Sequence, residues 1–106
     1  MASERVRHLA TALAAGKAAA EAIPVEDLRG SGNLDYPNVR LLGWRRTDVE
    51  AAARIAQVHP SKGTAGWWGF GGWEHWQGEN RTAKAHAFAQ AMQDHGYQAG
   101  VAYVMD

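Results

Sequence analysis

Residues 67 to 77 read WWGFGGWEHWQ and gather four of the chain's five tryptophans around Gly71-Gly72, with Glu74 and His75 between the last two. Indole faces stack on nucleic-acid bases or anchor a protein partner, and a histidine moves protons near neutral pH. A carboxylate can orient such a histidine for catalysis. Along a strand, however, adjacent side chains point to opposite faces, so Glu74 and His75 are not expected to form a dyad. The remaining histidines offer little more. His86 and His95 are nine residues apart on one helical stretch, beyond the reach of a shared metal, and His8 and His59 read as surface histidines. The glycines at 66, 69, 71 and 72 precede no Gly-Lys-Ser/Thr or dinucleotide fingerprint, and Asn80-Arg81-Thr82 reads as a helix cap rather than a glycan site. No cofactor or metal is expected.

Composition narrows the class. The chain has 106 residues, enough for one domain with one core. Eleven basic and eleven acidic residues cancel, which removes any overall field toward phosphate backbones or anionic lipid. Without cysteine, disulfides, Cys-ligated zinc and thiol catalysis are excluded. No apolar run approaches the roughly 18 residues of a membrane span, and the start, MASERVRHLATALAAG, lacks a signal-peptide pattern. A cytoplasmic protein without a membrane role is the expectation.

The elements that must position the aromatics follow from periodicity. Ser3 caps a first helix in which Val6, Leu9, Ala10, Leu13 and Ala14 recur at helical spacing up to residue 23. Its stripe is thin in large side chains and Gly16 weakens its middle, so it is expected to be peripheral. Residues 24 to 38, PVEDLRGSGNLDYPN, read as a loop joining this helix to the rest. Val39 to Trp44, VRLLGW, reads as a strand, and Thr47-Asp48-Val49-Glu50 as a capping box. The helix it opens has Val49, Ala52, Ala53 and Ala56 on one stripe and ends by Pro60 and Gly63. Gly71-Gly72 predicts a two-residue turn pairing WWGF with WEHW, with Phe70 opposite Trp73, Trp68 opposite His75, Gly69 opposite Glu74 and Trp67 opposite Trp76. Asn80 or Thr82 caps a third helix with Ala85, Phe88, Ala89 and Met92 on its stripe. Gly96 ends it, and Tyr97 to Val104 forms the last strand.

This order is βαββαβ behind an N-terminal helix over residues 39 to 106. The expected fold is α+β and ferredoxin-like: a four-stranded antiparallel sheet with helices on one face. A weak echo of VRLLGWRRT in EHWQGENRT, offset by 35 residues, puts Arg46-Thr47 and Arg81-Thr82 at the starts of equivalent helices. The sheet's other face would be open, with the first and third strands central.

Trp44, Trp67, Trp73, Trp76, His75, Glu74, Arg40 and Arg46 are the candidate binding residues. Tryptophan and arginine are the types that most often carry protein-binding energy, so a non-catalytic module, a small regulator or inhibitor, is the leading expectation. The partner is another protein or a second copy in a homodimer. Single-stranded nucleic acid stacked on Trp44, Trp73 or Trp76 beside Arg40, Arg45 and Arg46 is the alternative, and a small dimeric enzyme or ligand-binding protein with a cavity around His75 is the third.

Overall fold

The structure, a computed structural model, describes residues 3 to 23, 36 to 71 and 80 to 102. In chain order these form α1 (Glu4–Glu21), β1 (Tyr36–Arg40), α2 (Arg46–Ala56), β2 (His59–Lys62), β3 (Trp67–Gly71), α3 (Asn80–Asp94) and β4 (Ala99–Ala102). The strands form one sheet in the order β2-β3-β1-β4, with every neighbouring pair antiparallel. Strands β1 and β2 are therefore parallel, joined through α2 and separated by β3. Strands β3 and β4 are likewise joined through α3 and separated by β1. These are two interleaved split βαβ halves, and the chain is an α+β fold of the expected class.

Alternation along the strands decides what each face holds. Pro37 and Val39 of β1, and Trp68 and Phe70 of β3, are buried on the side of the helices. Ala99 and Val101 of β4 pair with Val39 and Pro37 and pack against the same core. The helices reach it with the residues their spacing predicts: Val49, Ala52, Ala53 and Ala56 from α2, and Ala85, Phe88, Ala89 and Met92 from α3. Phe70 stacks on Phe88 with ring centroids 6.2 Å apart, which ties β3 to α3. Burying a side chain of this size contributes about 1.5–3 kcal/mol.

Helix α1 is not peripheral. It packs against both α2 and α3, and Val6, Leu9, Ala10, Ala12, Leu13, Gly16 and Ala20 are buried. The small residues that thin its stripe are what allow this approach. A Cβ at Gly16 would lie 2.9 Å from the Phe88 ring, so glycine is a packing requirement there. The Ser3 cap is in place, with Oγ accepting from the Val6 amide at 3.2 Å. At the other end, buried Lys84 of α3 donates to the carbonyls of Ala20 and Ile23 at 2.9 and 2.8 Å. An ammonium thus satisfies the orphan carbonyls and the negative dipole end of α1.

Several expected boundaries shift. Strand β1 begins at Tyr36, inside the expected loop, because Pro37 sits where β1 pairs only with β4 and no ladder amide is needed toward β3. It ends at Arg40, and LLGW is a turn, with the Trp44 amide on the Leu41 carbonyl and Gly43 at φ 77°. The Thr47 capping box does not form: Arg45 is the N-cap without a side-chain bond, and Glu50 pairs with Arg46 instead. Helix α2 ends at Gln57, left-handed at φ 59°, before Pro60. Helix α3 closes as expected. Gly96 is at φ 92°, with its amide on the Gln93 carbonyl and the Tyr97 amide on the Met92 carbonyl, a Schellman arrangement.

The largest correction concerns the hairpin. Gly71 lies within β3 and pairs with His59, so WWGF is the third strand and its hairpin partner is the preceding strand, HPSK. The turn is Thr64-Ala65-Gly66-Trp67, with Ala65 and Gly66 at φ 53° and 79° and the Trp67 amide on the Thr64 carbonyl. Both central residues take the positive φ that a type I′ hairpin demands. Phe70 accordingly faces Pro60, Gly69 faces Ser61 and Asn38, and Trp68 faces Lys62 and Val39. Trp73, Glu74, His75 and Trp76 lie outside the described residues, as does Tyr103 at the end of the last strand.

Candidate functional site

All three helices lie on one side of the sheet, which leaves the other side to the alternate residues of each strand. On β1 these are Tyr36, Asn38 and Arg40, all partly exposed; on β3 they are Trp67, Gly69 and Gly71; on β4, Gly100 and Ala102. The central strands β1 and β3 thus each contribute one aromatic. The Tyr36 ring lies across Gly69, where an added Cβ would meet it at 2.7 Å, so that glycine sets the position of the ring. Beside Gly71 and Gly100 a Cβ would meet nothing within 4 Å, so the sheet surface is open at both positions. The resulting trough of about 600 Å³ runs from Tyr36 and Asn38 past Gly69 to Ser61, Thr64 and Trp67.

Arg40 is the direct cross-strand neighbour of Trp67 on this face. Its Nε is buried and has no hydrogen-bond partner. A guanidinium nitrogen withheld from water without a partner costs folding free energy. Of the eight candidate residues, the structure brings Arg40 and Trp67 together.

Trp44 and Arg46 are elsewhere. Trp44 is half-buried against the core, and the Arg5 guanidinium sits 3.9 Å from its ring centroid, a cation–π contact tying the start of α1 to the β1–α2 turn. Arg46 opens α2 on the helical side, 2.8 Å from Glu50. Glu74, His75, Trp73 and Trp76 are outside the described residues, which continue only to Gly71 on this side. In register, His59 pairs with Gly71 and Tyr36 with Ala102, so these four residues share one end of the sheet.

The described histidines do not converge. His8 Nδ1 is 2.7 Å from the Tyr97 hydroxyl, His95 Nδ1 is 2.9 Å from the Ala91 carbonyl, and His59 and His86 are exposed on β2 and α3. Burial holds the Tyr97 phenol above its ordinary pKa, against the opposing charge of Arg5. Among the described residues no group of three or more His, Asp or Glu is placed to hold a metal, and no helix is long and apolar enough to cross a membrane.

Sequence reasoning missed Tyr36 and Asn38, which Pro37 disguised as loop, and it missed the role of Gly69 beneath the Tyr36 ring. The signal for Tyr36 was present: Tyr36, Asn38 and Arg40 alternate with Pro37 and Val39 at strand period. In comparison with known proteins, no family model, no curated protein and no solved structure matches this chain.

Proposed function

We propose that the chain is a non-catalytic protein-binding module, a small regulator or inhibitor that engages its partner through the open face of the sheet. The observation that supports this most is the grouping of Tyr36, Trp67 and Arg40 on the two central strands opposite the helices, with the Arg40 Nε unsatisfied. Tyrosine, tryptophan and arginine dominate the energetics of protein interfaces because each offers a large apolar area with a hydrogen-bonding group attached. The trough between Tyr36 and Trp67 can admit a partner side chain next to the strand position that Arg40 shares with Trp67. The partner is a second protein or another copy of this chain. Sedimentation of the wild type and of Trp67→Ala with Arg40→Ala tests the reading. The wild type associates, with itself or with a co-purifying chain, and the double variant does so at least about tenfold more weakly while still unfolding in one cooperative transition. Association that survives both substitutions would contradict it.

One observation favours single-stranded nucleic acid as a second reading. Tyr36 and Trp67 lie on β1 and β3 of one open face, where successive bases could stack. That reading expects short single strands to quench tryptophan fluorescence, less so as salt rises, and to lose the effect in Trp67→Ala.

A further inference from the structure

A groove on the helical side of the sheet is independent of the open face. Arg46, Glu50, Arg54 and Gln57 follow one another along one face of α2, and the groove between that face and β2 is lined across from them by His59, Pro60 and Lys62. Buried Val58 and Trp68 form its floor, and it encloses about 610 Å³. Strand β2 returns along α2 after the left-handed Gln57, so the cations fall into two poles: Arg54 at one end, Arg46 with Lys62 at the other.

The charges in this groove are unequal. Glu50 is bound by Arg46, and that is the only ion pair among the described residues. Arg54 and Lys62 are exposed and meet no carboxylate among the described residues. The poles are separated by roughly 12 Å, the rise of eight helical residues from Arg46 to Arg54. An extended peptide covers that distance in three to four residues at about 3.3 Å each. Between the poles the surface is Pro60 and Val58 on one side and Glu50 on the other. A polynucleotide carries a charge at every step and would set one against Glu50, and Trp68, 4% exposed, presents no ring face for a base. Separated carboxylates with an apolar residue between them meet neither obstacle.

We propose that this groove binds an extended acidic segment of a partner protein, one carboxylate at Arg46 and Lys62, a second at Arg54, and an apolar side chain on Pro60 between them. The complementarity is of charge and spacing together. Because Pro60 lacks an amide hydrogen, the free edge of β2 cannot extend an unbroken ladder to this segment, and side chains carry the recognition.

A labelled peptide of about ten residues, with two glutamates four positions apart and a leucine between them, is titrated against the full chain by fluorescence anisotropy. The wild type binds it with an affinity that falls as salt rises, and Arg54→Glu with Lys62→Glu weakens it by about tenfold or more. Arg7→Glu on α1 and Trp67→Ala on the open face leave the affinity within about twofold, which separates this groove from diffuse attraction and from the surface proposed above. Should the charge reversal disturb the melting curve, Arg54→Gln with Lys62→Gln replaces it. Three results would overturn the proposal: no peptide binding, an equal loss in Arg7→Glu, or a single-stranded oligothymidine of similar length binding as tightly and losing as much in the double variant.

Discussion

Trp67 and Trp68 are neighbours of the same type with opposite fates. Trp68 is 4% exposed and packs into the core between β3 and the helices, whereas Trp67 stands half-exposed on the far side beside Arg40. The same division runs through β1, where Pro37 and Val39 face inward and Tyr36, Asn38 and Arg40 outward. On the inner side the buried neighbours are mainly alanine, valine and phenylalanine. On the outer side they are glycines, an amide and a guanidinium nitrogen with no partner. The strand period alone separates a residue that makes the fold from one left available for recognition.

Removing the inner partners should cost most. Trp68→Ala or Phe88→Ala is expected to lower unfolding free energy by about 3–5 kcal/mol, read from denaturant melts, and to leave any binding to the residual folded fraction unchanged. Gly16→Val presses a side chain into the Phe88 ring and should cost about 1–3 kcal/mol, though valine gains helix propensity over glycine. Lys84→Met, which keeps the length of the side chain but removes the bonds to Ala20 and Ile23, should cost about 1–3 kcal/mol. Trp67→Ala should cost less than any of these, about 1 kcal/mol, while abolishing association. If Trp67→Ala unfolded the chain as Trp68→Ala does, the two faces would not differ as described.

The smallest effect is one of pH. The folded state holds the Tyr97 proton more tightly than the unfolded state, so its contribution is fully present below the ordinary tyrosine pKa of 10.0 and is lost as pH rises through the higher folded value. The wild type should therefore lose more stability than Tyr97→Phe as pH rises past 10.0, read from denaturant melts at successive pH values.

Helix positions were legible because apolar spacing repeats over many residues. Val49 to Ala56 and Ala85 to Met92 are buried as their period demands, and Ser3 and Gly96 cap as their types suggest. Strand edges were less so, because two signals competed with the structure. Gly71-Gly72 is the stronger turn signal in the sequence, yet the hairpin turns at Ala65-Gly66, where an alanine accepts a left-handed conformation because β2 and β3 pair on both sides of it. HPSK has a single half-buried residue, Pro60, so an edge strand with little to bury carried no period. Of the site, Arg40 and Trp67 were identified by residue type and Tyr36 was not. Net neutrality concealed the helical-side groove, because a sum over the whole chain does not show that Arg46, Arg54 and Lys62 line one groove.

The most direct test of the two-faced sheet places a photo-crosslinking amino acid at Asn38, on the open face, or at Thr11, exposed on α1. Irradiation of each protein under conditions in which the wild type associates should give covalent protein adducts from position 38 and none above background from position 11, with the position-38 adduct lost in Trp67→Ala. Equal yields from both positions, or adducts from position 11 alone, would contradict the assignment of the open face as the recognition surface.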